Sequence, residues 1–180
     1  MGEILRLQKL SFQQESLRSK KQEPKVLDAL YLASVVGDYG IIWVVISLIK
    51  FLFLKEKRWL VVFKLGLCGF LSILLSYGFK NFFKHPRPQI PSCEPIALRV
   101  PKSFSFPSGQ SLTAFMCAIL LPDNSFERDI YLVLSCLIAG SRVYTHRHYF
   151  SDVIFGAVIG LLTGIFMREA LKRTHRLSIN

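Results

Sequence analysis

Trp59-Leu-Val-Val-Phe-Lys-Leu-Gly-Leu-Cys-Gly-Phe-Leu-Ser-Ile-Leu-Leu-Ser-Tyr-Gly-Phe79 carries a single charge, Lys64. A membrane-spanning helix needs about 17–25 mostly apolar residues, and this stretch is long enough by itself. Four more apolar runs lie around it. Ile41–Leu54 is interrupted only by Lys50, and Ser111–Leu121, Ile130–Gly140 and Val153–Met167 carry no charge. One short run of this kind is equally compatible with a buried helix in a soluble protein. Five in succession, with few strand-like alternations, predict an all-α fold, a polytopic membrane bundle of five to six helices.

Composition agrees. Of 180 residues, 51% are hydrophobic and only 19% charged, yet the formal charge is +11. A small soluble core cannot hide so much apolar surface. Fifteen phenylalanines argue against disorder. The alternative reading of the charge, a basic nucleic-acid binder, fails on distribution, because Lys and Arg fall between the apolar runs and not on one soluble face. The expected partners are a membrane and a membrane-borne substrate, with no nucleic acid.

The chain divides into an N-terminal segment over 1–25, a membrane body over 26–168 and a basic tail over 169–180. In the first, Ile4, Leu7, Leu10 and Leu17 stand among Arg6, Lys9, Arg18, Lys20 and Lys21. That pattern suits a basic amphipathic helix on an anionic membrane surface, or a disordered basic tail. It is not a signal peptide, having no uninterrupted apolar centre. Val26–Leu54 as one helix is about 43 Å long, too long for a straight span. Gly37-Asp38-Tyr39-Gly40 interrupts it, so Leu27–Val36 reads as a short interfacial or re-entrant helix and Gly40–Leu54 as the first span. Gly156, Gly160 and Gly164 form a row on one helix face that admits a close neighbour. The alternative is that glycine is simply common in membrane helices. Cys68, Cys117 and Cys136 sit in apolar runs and Cys93 in a loop, without metal spacing or a disulfide framework.

Six of the eight prolines fall between Lys80 and Ser108, a long loop of a kind that is functional or disordered. Three segments around it carry polar chemistry. Lys80-Asn-Phe-Phe-Lys-His-Pro-Arg87-Pro88 comes first, then Phe106-Pro107-Ser108-Gly109-Gln110-Ser111, then Ser141-Arg142 followed by His148 and Asp152. With helices alternating in direction, all three fall on one side of the membrane. Lys80, Arg87 and Arg142 then bring three positive charges together, and arginine forks onto phosphate oxygens. Pro107 precedes a helix start, where the Ser108 and Gly109 amides can point at an anion. His148 and Asp152 are four apart, so a helical turn lets the carboxylate hold one imidazole nitrogen and leaves the other as nucleophile or base. Each piece alone has a plainer reading: a lipid anchor, a structural pair, a helix cap. Their order and common side point to a phosphate site.

The three segments resemble the signature of the type 2 phosphatidic acid phosphatase superfamily of integral membrane lipid phosphatases: KxxxxxxRP, then PSGH, then SRxxxxxHxxxD. The resemblance covers about residues 37–167 and matches ten of eleven signature positions. It implies a bundle of about six helices with the site at the outer membrane face, and no metal or other cofactor. It implies that His148 attacks phosphorus to form a phospho-histidine, that Asp152 orients it, and that Lys80, Arg87, Ser108, Gly109 and Arg142 bind the phosphate and stabilise the transition state. The eleventh position departs. The family has a histidine that protonates the leaving oxygen, and this chain has Gln110, which hydrogen-bonds but does not act as an acid near neutral pH. Losing general-acid help costs about 10²- to 10⁴-fold. Three outcomes follow: His146 or His85 stands in; the leaving group needs little help, as when a lipid diphosphate expels a lipid monophosphate; or the protein binds phospholipid without turnover.

The resemblance therefore implies a phosphatase removing a terminal phosphate from a lipid phosphate or diphosphate, of polyprenyl, phosphatidic acid, phosphatidylglycerol phosphate or lipid A type. Its alternative is a catalytically impaired scaffold. Sorted by loop, Lys and Arg divide eight against seven, with the site side holding seven. Assigning Lys80, Arg87 and Arg142 to substrate leaves eight against four and puts the C-terminus in the cytoplasm. The expected setting is a bacterial inner membrane with the active site on the outer, periplasmic face.

Overall fold

A computed structural model describes residues 40–54, 56–88 and 103–177. The N-terminal segment, the expected Leu27–Val36 helix and Cys93 lie outside them. The described residues form five helices and no strand: α1 (Ile41–Phe53), α2 (Arg58–Phe83), α3 (Gly109–Leu120), α4 (Ser125–Tyr144) and α5 (Phe150–Leu177). The molecule is an all-helical membrane bundle. Among the described residues α2 and α5 are the helices long and apolar enough to cross a bilayer, while α1 and α3 are apolar but shorter. Phe53, Trp59, Phe70, Ile73, Phe82 and Phe166 are more than half exposed, an outer surface suited to lipid.

Local chemistry sets the helix ends. Ser108 is extended, and its hydroxyl accepts from the Ser111 amide, capping α3. Asn124 caps α4 by accepting from the Glu127 amide at 2.9 Å. That cap starts α4 at Ser125, well before the apolar run at Ile130. The polar turn Ser-Phe-Glu-Arg-Asp is helical although hydropathy excludes it. At the other end, α5 continues through Arg168, Lys172 and Arg173, so the basic tail begins as helix.

Nine of the twelve residues of α3 are buried, which makes it the central helix. The longest packing seam is with α5; α4 and α2 flank α3, and α1 packs on α2. The glycine row explains the α3–α5 seam. A Cβ on Gly156 would lie 2.5 Å from the Ser108 carbonyl oxygen, one on Gly160 would collide with the Leu112 carbonyl, and one on Gly164 would stand 3.0 Å from Ile119 Cβ. Only glycine lets the two backbones touch here. Gly66 and Gly69 have open space around them, so the plainer reading holds for those two. On the other flank, a Cβ on Gly109 would meet Ser76 Oγ at 3.0 Å. The start of α3 is thus set against Ser76 of α2 and Gly156 of α5.

The end of the bundle away from that start is closed by ions. Lys50 Nζ lies 2.7 Å from both Asp123 and Glu127 and donates to the Leu121 carbonyl at 3.2 Å. The one charge interrupting the first span therefore ties α1 to the α3–α4 turn. Trp43, also buried, packs edge-on against Tyr131 at 5.6 Å.

Candidate active site

The ends of α2 and α4 and the starts of α3 and α5 meet at the opposite end, where the three polar segments converge. Arg87 is the hub. Its Nε donates to the Ser103 carbonyl at 2.8 Å, and Nη1 donates to the Arg147 carbonyl at 2.8 Å. The same Nη1 stands 3.3 Å from His148 Nε2, and Nη2 reaches Ser103 Oγ at 3.2 Å. Lys80, in the last turn of α2, reaches the same Ser103 hydroxyl at 3.3 Å. Arg142 is buried, and its carbonyl accepts from the amides of Arg147 and His148 at 3.1 and 3.3 Å. The end of α4 thereby holds the backbone of His148.

Guanidinium only donates, so His148 Nε2 must accept from Arg87 with its lone pair. The ring is then neutral with its proton on Nδ1. Burial pushes the His148 pKa below the ordinary imidazole value, the Arg87 and Lys80 charges add to the shift, and Asp152 opposes it. Burial also lowers the Arg87 pKa, with Arg147 and Arg142 contributing, though guanidinium remains charged.

Two expectations are corrected. α5 begins at Phe150, so His148 lies in the preceding turn and does not share a helical turn with Asp152. Nδ1 stands 3.8 Å from Asp152 Oδ2, beyond hydrogen-bond length. The carboxylate instead accepts from the Tyr149 amide at 3.1 Å and from the Ser105 hydroxyl at 2.5 Å. Second, the Ser108 amide is not presented to an anion. It donates to the Asp152 carbonyl at 3.0 Å, which fastens α3 to α5, while the Ser108 side chain caps α3. Gly109, as the first residue of α3, has an amide with no intrahelical acceptor. Gln110 follows it, half-buried in the first turn.

Of the two histidines considered as stand-ins for the family's acid, His146 is exposed with Nδ1 3.0 Å from the Tyr144 carbonyl. His85 stands at the site. Its Nδ1 is 3.6 Å from Asp152 Oδ1, an oxygen without a hydrogen bond, and its ring lies 5.1 Å from that of Tyr149. Among the described residues no three His, Cys, Asp or Glu side chains gather as metal ligands would.

Sequence reasoning missed Ser103, Ser105 and Arg147. Ser103 serves both Lys80 and Arg87, Ser105 is wholly buried between His148 and Asp152, and Arg147 is buried instead of lying in an outer loop. One signal was present: Ser103-Phe104-Ser105-Phe106 alternates directly before Pro107, and in an extended chain that sends both hydroxyls one way. Phe106 takes up an aromatic bridge, 4.9 Å from Phe83 of α2 and 5.4 Å from Phe155 of α5.

With this geometry in place, comparison with known proteins is informative. The family model described as the PAP2 superfamily matches residues 59–176. Decaprenylphosphoryl-5-phosphoribose phosphatase of Mycobacterium tuberculosis is 30% identical over 132 residues, 71% of either chain. The crystal structure of LpxE from Aquifex aeolicus superposes with a TM-score of 0.62 at 28% identity, over 81% of this chain and 86% of that one. A transmembrane PAP2-type phosphatidylglycerolphosphate phosphatase from Bacillus subtilis shares the fold, with a TM-score of 0.62 at 24% identity over 85% and 79%.

Proposed function

The chain belongs to the PAP2 superfamily, and from that membership we propose that it is a lipid phosphatase removing a terminal phosphate through a phospho-histidine. The observation that carries the proposal is the 3.3 Å approach of Arg87 Nη1 to His148 Nε2. It puts a nucleophilic lone pair beside a phosphate-binding cation. A phosphate seated against Arg87, Lys80 and Arg142 meets Nε2 in line with the lipid oxygen. The N–P bond forms as the P–O bond to lipid breaks, and water then hydrolyses the phospho-histidine. The three cations hold the charge that develops on the equatorial oxygens.

The substrate is a membrane lipid that enters sideways, its tail among the apolar helices. A polyprenyl carrier is the favoured class, since the relative from Mycobacterium tuberculosis is by name a phosphatase of a decaprenyl-linked sugar phosphate. Gln110 favours a diphosphate, whose departing lipid monophosphate needs no proton at the moment of cleavage. For a monoester the alkoxide must be protonated, and His85 is the histidine at hand. The setting in keeping with the charge distribution is an inner membrane with the site on the outer face. A buried Arg147 strengthens that distribution, because one of the site-side charges counted for topology is not at the surface.

Phosphate release from micellar lipid mono- and diphosphates tests the proposal, with acid-labile phospho-histidine trapped by rapid quenching. His148→Ala must abolish both. Equal release by wild type and His148→Ala would refute the proposal. Gln110 also favours a second reading, a phospholipid-binding protein without turnover. Under that reading the wild type releases nothing and Gln110→His gains activity from zero.

A further inference from the structure

The dyad does not close on itself. His148 and Asp152 are 3.8 Å apart at their nearest ionic atoms, yet the tautomer that leaves Nε2 nucleophilic needs an acceptor for the Nδ1 proton. One group stands there. Ser105 Oγ is 3.3 Å from His148 Nδ1 and donates to Asp152 Oδ2. Resting on the phospho-histidine reading above, we propose that Ser105 is a positioning residue that completes a relay, Asp152–Ser105–His148, and thereby fixes the nucleophile's tautomer and aim.

The hydrogen-bond polarity runs one way. Arg87 donates to Nε2, which forces the ring proton onto Nδ1. Nδ1–H then donates to the Ser105 oxygen, and the Ser105 proton goes to the Asp152 carboxylate. Every donor along this chain has its acceptor, which is what a buried polar network requires. A free imidazole favours the opposite tautomer, with the proton on Nε2 and no lone pair to attack phosphorus. Removing the oxygen at position 105 removes the Nδ1 acceptor, so the Arg87 contact alone holds the ring against that preference.

Ser105 is also well held. It is wholly buried, and its amide donates to the His85 carbonyl at 2.8 Å. The preceding carbonyls of Ser103 and Phe104 accept from Arg87. The next residue, Phe106, is held between Phe83 and Phe155. The segment carrying the relay oxygen is therefore tied to Arg87 and to two of the helices that frame the site. Nothing in the family signature includes position 105, which lies two residues before Pro107.

The experiment uses the full chain in detergent with a lipid phosphate that the wild type hydrolyses. Ser105→Ala is expected to lower kcat about 10- to 100-fold, the scale of a misaimed reacting group, with KM within about threefold. In the Asp152→Asn background the same substitution should add little, since the relay is already cut. The ¹⁵N shifts of His148, assigned by their loss in His148→Ala, should show Nδ1 protonated in wild type and a detectable share of the Nε2–H tautomer in Ser105→Ala. A purely structural role for Ser105 would not move that signature. Unchanged kcat in Ser105→Ala overturns the relay, as does an unchanged tautomer, or an equal further loss in the Asp152→Asn background. Where wild type and His148→Ala release phosphate equally, the phosphatase reading itself fails, an outcome separate from failure of the relay alone.

Discussion

Replacing Gly156 by alanine puts one methyl group into the tight α3–α5 contact beside the site. The added Cβ would stand 2.5 Å from the Ser108 carbonyl oxygen and 3.3 Å from Ser111 Cβ. A relaxed C···O contact is about 3.3–3.6 Å, so α5 must retreat from α3 by about 1 Å. The retreat is felt directly at the reacting end. The Ser108 amide bonds to the Asp152 carbonyl at 3.0 Å, and Asp152 lies one helical turn from Gly156. Lengthening that bond by 1 Å breaks it, and it draws the carboxylate away from Ser105 and His148. Overpacking of this size costs about 1–3 kcal/mol of stability. A 1 Å displacement at the chemistry costs about 10²-fold in rate. The assay pairs thermal unfolding in detergent with phosphate release measured well below the melting transition. Gly66→Ala, with open space around it, is the control and should match wild type in both. A Gly156→Ala enzyme whose kcat stays within about threefold of wild type would refute the claim that this contact sets the site.

The remaining predictions concern charge. On the proposed reading His148 attacks only when neutral, and its pKa is lowered by burial, so kcat/KM should persist as pH falls past about 6.5 and decline only through the lowered value; a pH profile with its acid limb at or above 6.5 contradicts this. Arg87→Lys keeps the charge but loses the fork that serves Ser103, Arg147 and His148 together, so kcat/KM should fall by about 10²-fold or more. Lys50→Met strands Asp123 and Glu127, each about a third exposed. It should lower stability by about 1–2 kcal/mol with kcat unchanged, read by melting and by steady-state rates.

Much of the architecture was legible because the solvent of a membrane helix imposes a crude code. Apolar length found α2 and α5, and Pro107-Ser108 marked the start of α3 at Gly109, two residues before the apolar run at Ser111. Helix ends were less legible, since hydropathy sees the apolar centre of α4 and not the capped polar turn at Asn124. The gathering of Lys80, Arg87, Arg142, His148 and Asp152 at one end of the bundle was legible through their spacing. What joins them was not. Ser105 and Ser103 are small neutral side chains whose work depends on what is 3 Å away in space. The destination of the Ser108 amide depends on the α3–α5 seam. Lys50 reads as a blemish in an apolar run until Asp123 and Glu127, more than seventy residues later, are placed beside it.

The position of Gly109 against Ser76, and of Gly156 against Ser108, has a consequence for depth. Ser76 lies seven residues before the end of α2 and Gly156 six after the start of α5, about 10 Å along either axis at 1.5 Å per residue. The central helix therefore begins about 10 Å inward from the ends of its two longest neighbours, with Phe106 and Ser105 packed above its start. On the proposed phosphatase reading, a phosphate bound at that depth would leave the interfacial water and trade hydration for guanidinium and ammonium. On the same reading, a phosphate carried at the end of a slender linkage would reach His148 more readily than one flanked by bulk on both sides.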